Sequence, residues 1–528
     1  MKRIALFLVM TFGSCTLIAA GDNGDDLQQE VQRLQQQTLE LQKQLNRLQK
    51  QLVKQTTAKK IEKKPSTKPA APTPVIKPAK GPVNDFHNSP LTVHLPDNDP
   101  ESLEFYPTAL VADQHVVTYI AGTPVVTSPY LGSRPAFDGS DYIVNISSIN
   151  RDIRLMQQRR RLYRAFTEIG YTAPSMPILA ISGKVEPVAV IGDPFGHASS
   201  DLTLGSGELD LAAVLNNSVE GYLSLAYDAS PPDVGGQRLS NSSVDLNMGF
   251  VNIGNLDKTP FYFTGGQLFV PFGRFSSSMV SAPLTMILAR TKARPFILGY
   301  KSQHDSGPFA AIYGFRSDTT LGSSGVGGAN LGYIFNTDKT STEIGASYIS
   351  TLDDSGGMQF NGSPTGGKFA GFSSVTNGSE AVRKTPAVGI HANMSIDRFT
   401  FTAEWIGATQ PFRTQDLSYN GQGAQPQAAQ LEAGVTFKTF DKPSSVALGY
   451  QWSKEALALN LPAQRIAGVY SISIWKDTVE SLEYRHDIKY PVNQYANGAS
   501  APGLPSNLNI VSQGGTSDTL LAQIGVYF

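Results

Sequence analysis

Taken two residues at a time, the last ten positions of the chain separate into two sets. Phe528, Val526, Ile524, Ala522 and Leu520 are apolar, whereas Tyr527, Gly525, Gln523 and Leu521 are mixed and partly polar. Alternation of this kind marks a strand with one face in an apolar medium and the other in water. The strand runs to the terminal residue and stops on a bare aromatic, unlike the frayed ends of most soluble domains. The pattern recurs upstream: Phe399, Phe401, Ala403 and Trp405 alternate with Thr400, Thr402 and Glu404, and Leu431, Ala433, Val435 and Phe437 with Glu432, Gly434, Thr436 and Lys438. Val446, Leu448, Tyr450 and Trp452 do the same, as do Val244, Leu246, Met248 and Phe250, which places each set on one apolar face.

About sixteen such stretches follow Pro177 with no helix between them. They are 178–190, 202–214, 217–228, 242–253, 260–270, 294–302, 307–316, 326–336, 340–350, 385–395, 397–407, 428–438, 444–453, 463–475, 477–487 and 517–528. Connections after the odd strands are long and those after the even strands short, as a membrane barrel with tight periplasmic turns and long outer loops requires. The sequence therefore predicts an all-β transmembrane barrel of antiparallel strands over residues 178–528, preceded by an α-helical coiled coil and a small mixed segment. An even strand number returns both ends to the periplasm. Ala282–Arg290 resembles a further strand, but a seventeenth would break the alternation, so it belongs to the third long loop.

The N-terminal part has a different grammar. Lys2 and Arg3 precede an apolar run, Ile4 to Ile18, and residues 1–20 read as a secretory signal peptide cleaved after Ala20. The alternative is a lipobox ending at Cys15. Either way the protein leaves the cytoplasm. Residues 26–55 carry Leu27, Val31, Leu34, Thr38, Leu41, Leu45, Leu48 and Leu52 at alternating spacings of four and three. That heptad seam implies partner helices and a homo-oligomer, with dimer and trimer both open. Residues 56–83 form a Lys/Pro/Ala-rich spacer without a core.

Residues 84–177 do not fit the barrel pattern. They hold short strand-like runs (His115–Ile120, Thr123–Thr127) and a basic helix, Arg151–Glu168, bearing Arg154, Arg159, Arg160, Arg161 and Arg164, with Ser148 or Asn150 as N-cap. This segment is either a periplasmic element whose helix lies solvated beside the inner leaflet, the plainer reading, or a plug that offers cations inside the lumen.

Composition narrows the classes. Forty percent apolar residues and a formal net charge of −1 exclude a mainly disordered chain and give no case for nucleic-acid binding. The 49 Gly and 20 Tyr suit tight turns and interfacial aromatics. No run of eighteen apolar residues follows the N-terminus, so no helical span is expected. Cys15 is the one cysteine, and it lies in the leader.

Candidate chemistry lies in the lumen. The third long loop carries Arg274 and Arg290, with Lys292 and Arg294 close by, while lumen-facing positions include Glu208, Asp210, Glu220, Asp245, Glu343, Glu404 and Glu432. If the loop folds inward, basic and acidic walls set a transverse field across a constriction; if it stays outside, its cations contact lipopolysaccharide phosphates. His391 falls on the lumen face and His486 on the lipid face, with no Ser/Asn pair beside it, so no enzyme activity is expected. No compact metal-ligand spacing occurs, so no structural metal or cofactor is expected.

The terminal aromatic strand is similar to the C-terminal signal of bacterial outer-membrane barrels. Several stretches also resemble the LbtU-type siderophore porin family: Tyr130-Leu131-Gly132 with Phe137-Asp138-Gly139-Ser140-Asp141, Ser147-Ser148-Ile149-Asn150, and Gly266 through Phe275 running on to Leu288-Ala289-Arg290-Thr291. The resemblance implies an outer-membrane barrel for iron uptake, as a ferric siderophore or otherwise, without energy-coupled receptor architecture. The iron species would be cargo. About 350 residues after Pro177 suit sixteen strands rather than the roughly 22 of energy-coupled receptors. A general diffusion porin for small polar solutes, and a structural envelope tether or adhesin, are the alternatives.

Overall fold

In the computed structural model the chain divides into two units, residues 1–77 and 78–528. The structure describes residues 116–120, 123–127, 136–137, 143–144, 149–168 and 178–527, the last with breaks at 194–198, 228–243, 305, 318–324, 338–339, 361–382, 415, 476–477 and 498–508. The signal peptide, heptad seam and Lys/Pro/Ala spacer expected from the sequence lie outside the described residues.

A hairpin comes first, β1 (Val116–Ile120) and β2 (Thr123–Thr127), followed by helix α1 (Arg151–Glu168). Then come β3 (Ile178–Gly192), β4 (Ser199–Asn216), β5 (Val219–Ala226), β6 (Asp245–Gly254), β7 (Phe261–Phe269), β8 (Phe296–Lys301), β9 (Gly307–Arg316) and β10 (Gly325–Thr337). The second half is β11 (Thr340–Ile349), β12 (Ala387–Ile396), β13 (Phe399–Ala408), β14 (Gln427–Thr439), β15 (Lys442–Lys454), β16 (Gln464–Ile472), β17 (Thr478–Ile488) and β18 (Thr516–Tyr527). Consecutive strands from β3 to β18 pair antiparallel, and β18 closes on β3 from Thr519↔Gly192 to Tyr527↔Lys184. The result is a closed barrel of sixteen strands, whose closure leaves no free sheet edge between β3 and β18. Each strand lies within three residues of its expected bounds, and the strand expected over 307–316 is β9 to the residue.

Closure is finished by two devices. Tyr527 donates its hydroxyl to Glu186 Oε1 (2.9 Å), which also joins the seam between β18 and β3 through buried side chains. Pairing with β18 ends at Lys184, and β2 takes up the edge beyond it, parallel, with Val125–Thr127 opposite Leu179–Ile181.

The two faces differ as the alternation requires. Outward positions such as Leu448, Ile312 and Leu431 are 57–66% exposed and apolar, whereas inward neighbours such as Asn330, Gln430 and Gln451 are buried. Apolar side chains that have no protein cover form the lipid-facing belt. One expected face is reversed. Val244, Leu246, Met248 and Phe250 were assigned to one apolar face, yet Met248 and Phe250 are buried in the lumen while Leu246, Val251 and Ile253 face outward. The cause is a bulge between Leu246 and Met248, seen as a register shift opposite Ser224 and Leu225; one extra residue flips every side chain beyond it.

The solvated position for helix 151–168 beside the inner leaflet also needs correction. Arg151, Asp152, Arg154, Gln157, Arg159 and Arg160 are all buried, and their printed partners are lumen-facing strand residues and the turn after β6. Helix α1 stands inside the barrel. Of the two N-cap candidates, Ser148 lies outside the described residues, and Asn150 departs from the ordinary extended cap form with a positive φ of 57°.

Candidate functional site: an occupied lumen

Two bodies fill the lumen. The first is α1, which packs along the inner wall from β4 to β7. At its N-terminal end Arg151 NH1 donates to the Tyr222 hydroxyl (2.6 Å), and Tyr222 in turn donates to Asp210. Asn252 Nδ2 donates to the Asp152 carbonyl (3.0 Å) and to Glu220 Oε1 (2.9 Å), and Thr264 Oγ1 donates to Asp152 Oδ2 (3.0 Å). Two turns on, Arg159 reaches Glu220 (3.5 Å) and the Gly254 carbonyl (2.5 Å), and Arg160 meets Asp257 (4.0 Å). Ile149, Ile153, Leu155 and Met156 supply apolar contact with Tyr222, Met248 and Phe250 in one core cluster. The flipped residues of the β6 bulge thus form part of the bed on which α1 lies.

The second body is the third long loop, 270–295, which folds inward and carries a short helix, α2 (Leu284–Ala289). The stretch Ala282–Arg290 is loop and helix, not a strand. Three wall carboxylates hold the loop, largely through its backbone. Glu404 on β13 accepts from the amides of Arg274 (2.5 Å) and Phe275 (3.1 Å) and from Thr285 Oγ1 (2.8 Å). Glu432 on β14 accepts from Ser277 Oγ (2.6 Å) and the Ser278 amide (3.0 Å). Glu483 on β17 accepts from the Val280 and Ser281 amides and from Ser281 Oγ. Gln451 takes the Leu284 amide (2.8 Å), and Arg465 donates to the Ala282 carbonyl (3.1 Å) while paired to Asp487 (2.7 Å). Each of these buried carboxyl groups receives two or three donors from the loop, so its burial is offset by hydrogen bonds. The loop needs a tight turn to start this path: Gly273 has φ 76°, and a Cβ there would stand 2.4 Å from the Phe275 ring.

The expected constriction residues separate by environment. Arg274 enters the lumen and pairs with Glu343 (3.1 Å), beside His391, whose Nε2 lies 3.2 Å from the same carboxylate. Arg290 stacks over the Phe269 ring at 4.5 Å. Lys292 and Arg294 are exposed and sit beside Asn247 (3.3 Å) and Gln267 (3.2 Å). Glu208 accepts from Ser224 (2.6 Å) with Lys184 at 3.9 Å, and Asp210 belongs to the α1 contact. Glu432 meets loop backbone rather than a loop cation. The side chain of Asp245 lies outside the described residues. Arg274 thus meets Glu343, one of the expected wall acids, whereas Glu208 and Asp210 lie at the α1 wall and Glu432 beneath the loop.

Sequence reasoning named Glu404 as lumenal but missed Glu483, Arg151 and Tyr222. The available signal was an inward-facing carboxylate together with a third loop whose Ser276, Ser277, Ser278 and Ser281 supply donors. His486, placed on the outer face, pairs with Asp518 (2.7 Å), which also accepts from Tyr484 (2.6 Å).

No family model matches the chain. The outer-membrane channel DcaP of Acinetobacter baumannii aligns over 68% of this chain and 99% of its own, at 13% identity and a TM-score of 0.42. An anion-selective porin from Comamonas acidovorans aligns over 67% and 100%, at 12% identity and the same TM-score, 0.42. Full-length relatives are much nearer. A UPF0422 protein of Legionella pneumophila (strain Paris) is 60% identical over the whole of both chains. A UPF0422 protein of Coxiella burnetii is 37% identical over 76% of this chain and 83% of its own. With that identity spanning the whole of both chains, the chain belongs to the UPF0422 family.

Proposed function

We propose that this protein is an outer-membrane porin for iron uptake, carrying a ferric siderophore through a selective lumen. The observation that carries the reading is the double occupation of a sixteen-stranded barrel. Both α1 and the third loop cross the lumen and are held by buried ion pairs and hydrogen bonds. An inward loop narrows a pore of either kind; the second body held beside it, α1, is what supports passage that depends on recognition. The resemblance to siderophore porins supplies the cargo class. The N-terminal region is periplasmic in this reading, since both barrel ends lie on the side of the short turns, and residues 26–55 make the assembly oligomeric.

Uptake of iron-59 tests the proposal, measured with the free ion and with the cell's own siderophore complex, in a strain lacking the gene and in the complemented strain. Saturable uptake of the complex, lost on deletion and restored by the gene, is expected. Unchanged iron uptake with reduced entry of sugars and antibiotics identifies a general diffusion porin instead.

A further inference from the structure

We infer that the outer wall over β10–β15 holds one molecule of lipopolysaccharide, with an acyl tail seated between Trp405 and Trp452 and a phosphate at Lys454. The site is independent of the cargo proposed above. It needs only a barrel in the outer membrane whose long connections face outward.

The lipid-facing belt carries an open groove of about 980 Å³, at the upper end of the roughly 300–1,000 Å³ usual for ligand pockets. Strand register explains it. Outward side chains of neighbouring strands line up in rows, and two rows cross the groove. The row nearer the long connections runs Leu331, Ala346, Ile390, Trp405, Ala429, Trp452. The next runs Tyr333, Ile344, Ala392, Ala403, Leu431, Tyr450. Each alanine leaves a hollow beside larger neighbours, so the four alanines trace an arch around the Ile390–Trp405 pair. Tyr348 stands over the Ala346 end of this arch, two residues further along β11. Gln427 and Lys454, which pair across β14 and β15, stand over the Ala429 end.

Shape and charge choose the occupant. Leu331, Ile390 and Leu431 stand up around the floor, 56–58% exposed. A second barrel offers a convex wall that would rest on these side chains and leave the alanines bare, whereas close protein contact in lipid favours small residues that let backbones approach. A flexible hydrocarbon chain reaches the floor and gains dispersion contact with Ala429 and both indoles. Those indoles lie two strands apart, so their backbones flank a slot about 10 Å wide, room for a single chain between side chains. At the mouth the chemistry turns polar. The Lys454 side chain is 60% exposed and lies 3.6 Å from Glu455 Oε1, while Glu455 Oε2 accepts the Gln425 amide (2.7 Å). An ammonium has three donors, which leaves Lys454 able to meet a phosphate as well. Lys454 ends β15 and Gln427 begins β14, so the head group lies at the rim of the long connections, in the leaflet that lipopolysaccharide occupies.

The test uses the full-length protein extracted in mild detergent from outer membranes, with bound lipid identified by native mass spectrometry after detergent exchange. Wild type should retain one lipopolysaccharide per barrel. Ala429→Phe, which fills the slot, should lower that occupancy about tenfold, and Lys454→Gln severalfold. Leu298→Phe, on the outer face of β8, should retain it, and heat-modifiable migration on gels establishes that each barrel has folded. Fluorescence reads the site independently. In vesicles of a phospholipid with brominated chains, Trp475→Phe leaves Trp405 and Trp452 as the reporters among the three tryptophans. Added lipopolysaccharide should relieve their quenching saturably, and Ala429→Phe should abolish the relief. Equal occupancy in wild type and Ala429→Phe, quenching indifferent to lipopolysaccharide, or phospholipid retained in its place overturns the inference. A disulfide between copies of an Ala429→Cys variant in a Cys15→Ser background overturns it too, by placing a second barrel on the slot.

Discussion

Glu404 is the strongest single hold on the third loop, and its removal has a calculable effect. The carboxylate receives the Arg274 and Phe275 amides, Thr285 Oγ1 and Gln430 Nε2. A hydrogen bond to a charged group contributes about 1.5–3 kcal/mol. Glu404→Ala leaves four donors without that acceptor, but lumen water replaces part of what is lost. The net loosening is therefore nearer ~3 kcal/mol than the full sum. At about 1.4 kcal/mol per tenfold, local opening of the loop rises on the order of 100-fold. Hydrogen exchange of the purified protein, resolved over residues 272–288, reads this directly. The Arg274 and Phe275 amides should exchange about 100-fold faster while the β13 ladder, which pairs through backbone only, keeps its protection. Single-channel recordings should show larger, noisier openings. Unchanged exchange in the loop, or a loss of protection spread evenly around the barrel, would refute the account of how the loop is held.

Other substitutions probe separate parts of the argument. Gly345→Ala would put a Cβ 2.4 Å from His391 Cε1 and push the ring off Glu343, costing about 1–3 kcal/mol in urea unfolding from lipid vesicles. Leu448→Lys, at a position 66% exposed on the outer face, should cost about 2–4 kcal/mol in the same assay if that face meets lipid, and almost nothing if it meets water. Asp353 lies in the long connection after β11, where burial raises its carboxyl well above the usual 3.8, with Asp354 and Asp416 adding to the rise. A raised carboxyl favours the folded loop below pH 3.8, and this contribution is lost as pH rises through the folded value. Asp353→Asn should therefore protect the loop from proteolysis at pH 7, and the difference from wild type should vanish at pH values below the ordinary carboxylate range.

The barrel was legible because membrane strands write their environment into every second residue. Phe401, Leu431 and Leu448 face lipid for the same reason that Glu404, Glu432 and Gln451 face inward, and length and turn chemistry then set the order. Parity failed only at the β6 bulge, where one inserted residue near Asn247 carries no signature distinct from ordinary strand sequence. The lumen was less legible. An arginine-rich helical face reads as solvated, and what buries it lies far along the chain: Tyr222 is 71 residues from Arg151, and Thr264 is 112 from Asp152. The inward path of the third loop was one of two readings the sequence left open, and its attachment was not read at all. Glu404 and Glu432 look like pore charges in sequence and Glu483 was not singled out, whereas in the fold all three accept backbone amides from a loop more than 100 residues away.

Flux through the purified full-length protein in liposomes bears most directly on the claim of a selective, occupied lumen. Vesicles are given either a ferric siderophore complex labelled with iron-59 or a neutral sugar of similar size. The account predicts that influx of the complex saturates with concentration while the sugar enters scarcely faster than in protein-free vesicles. Linear, unsaturating entry of both solutes would contradict it, and would mean that α1 and the third loop leave an open diffusion path.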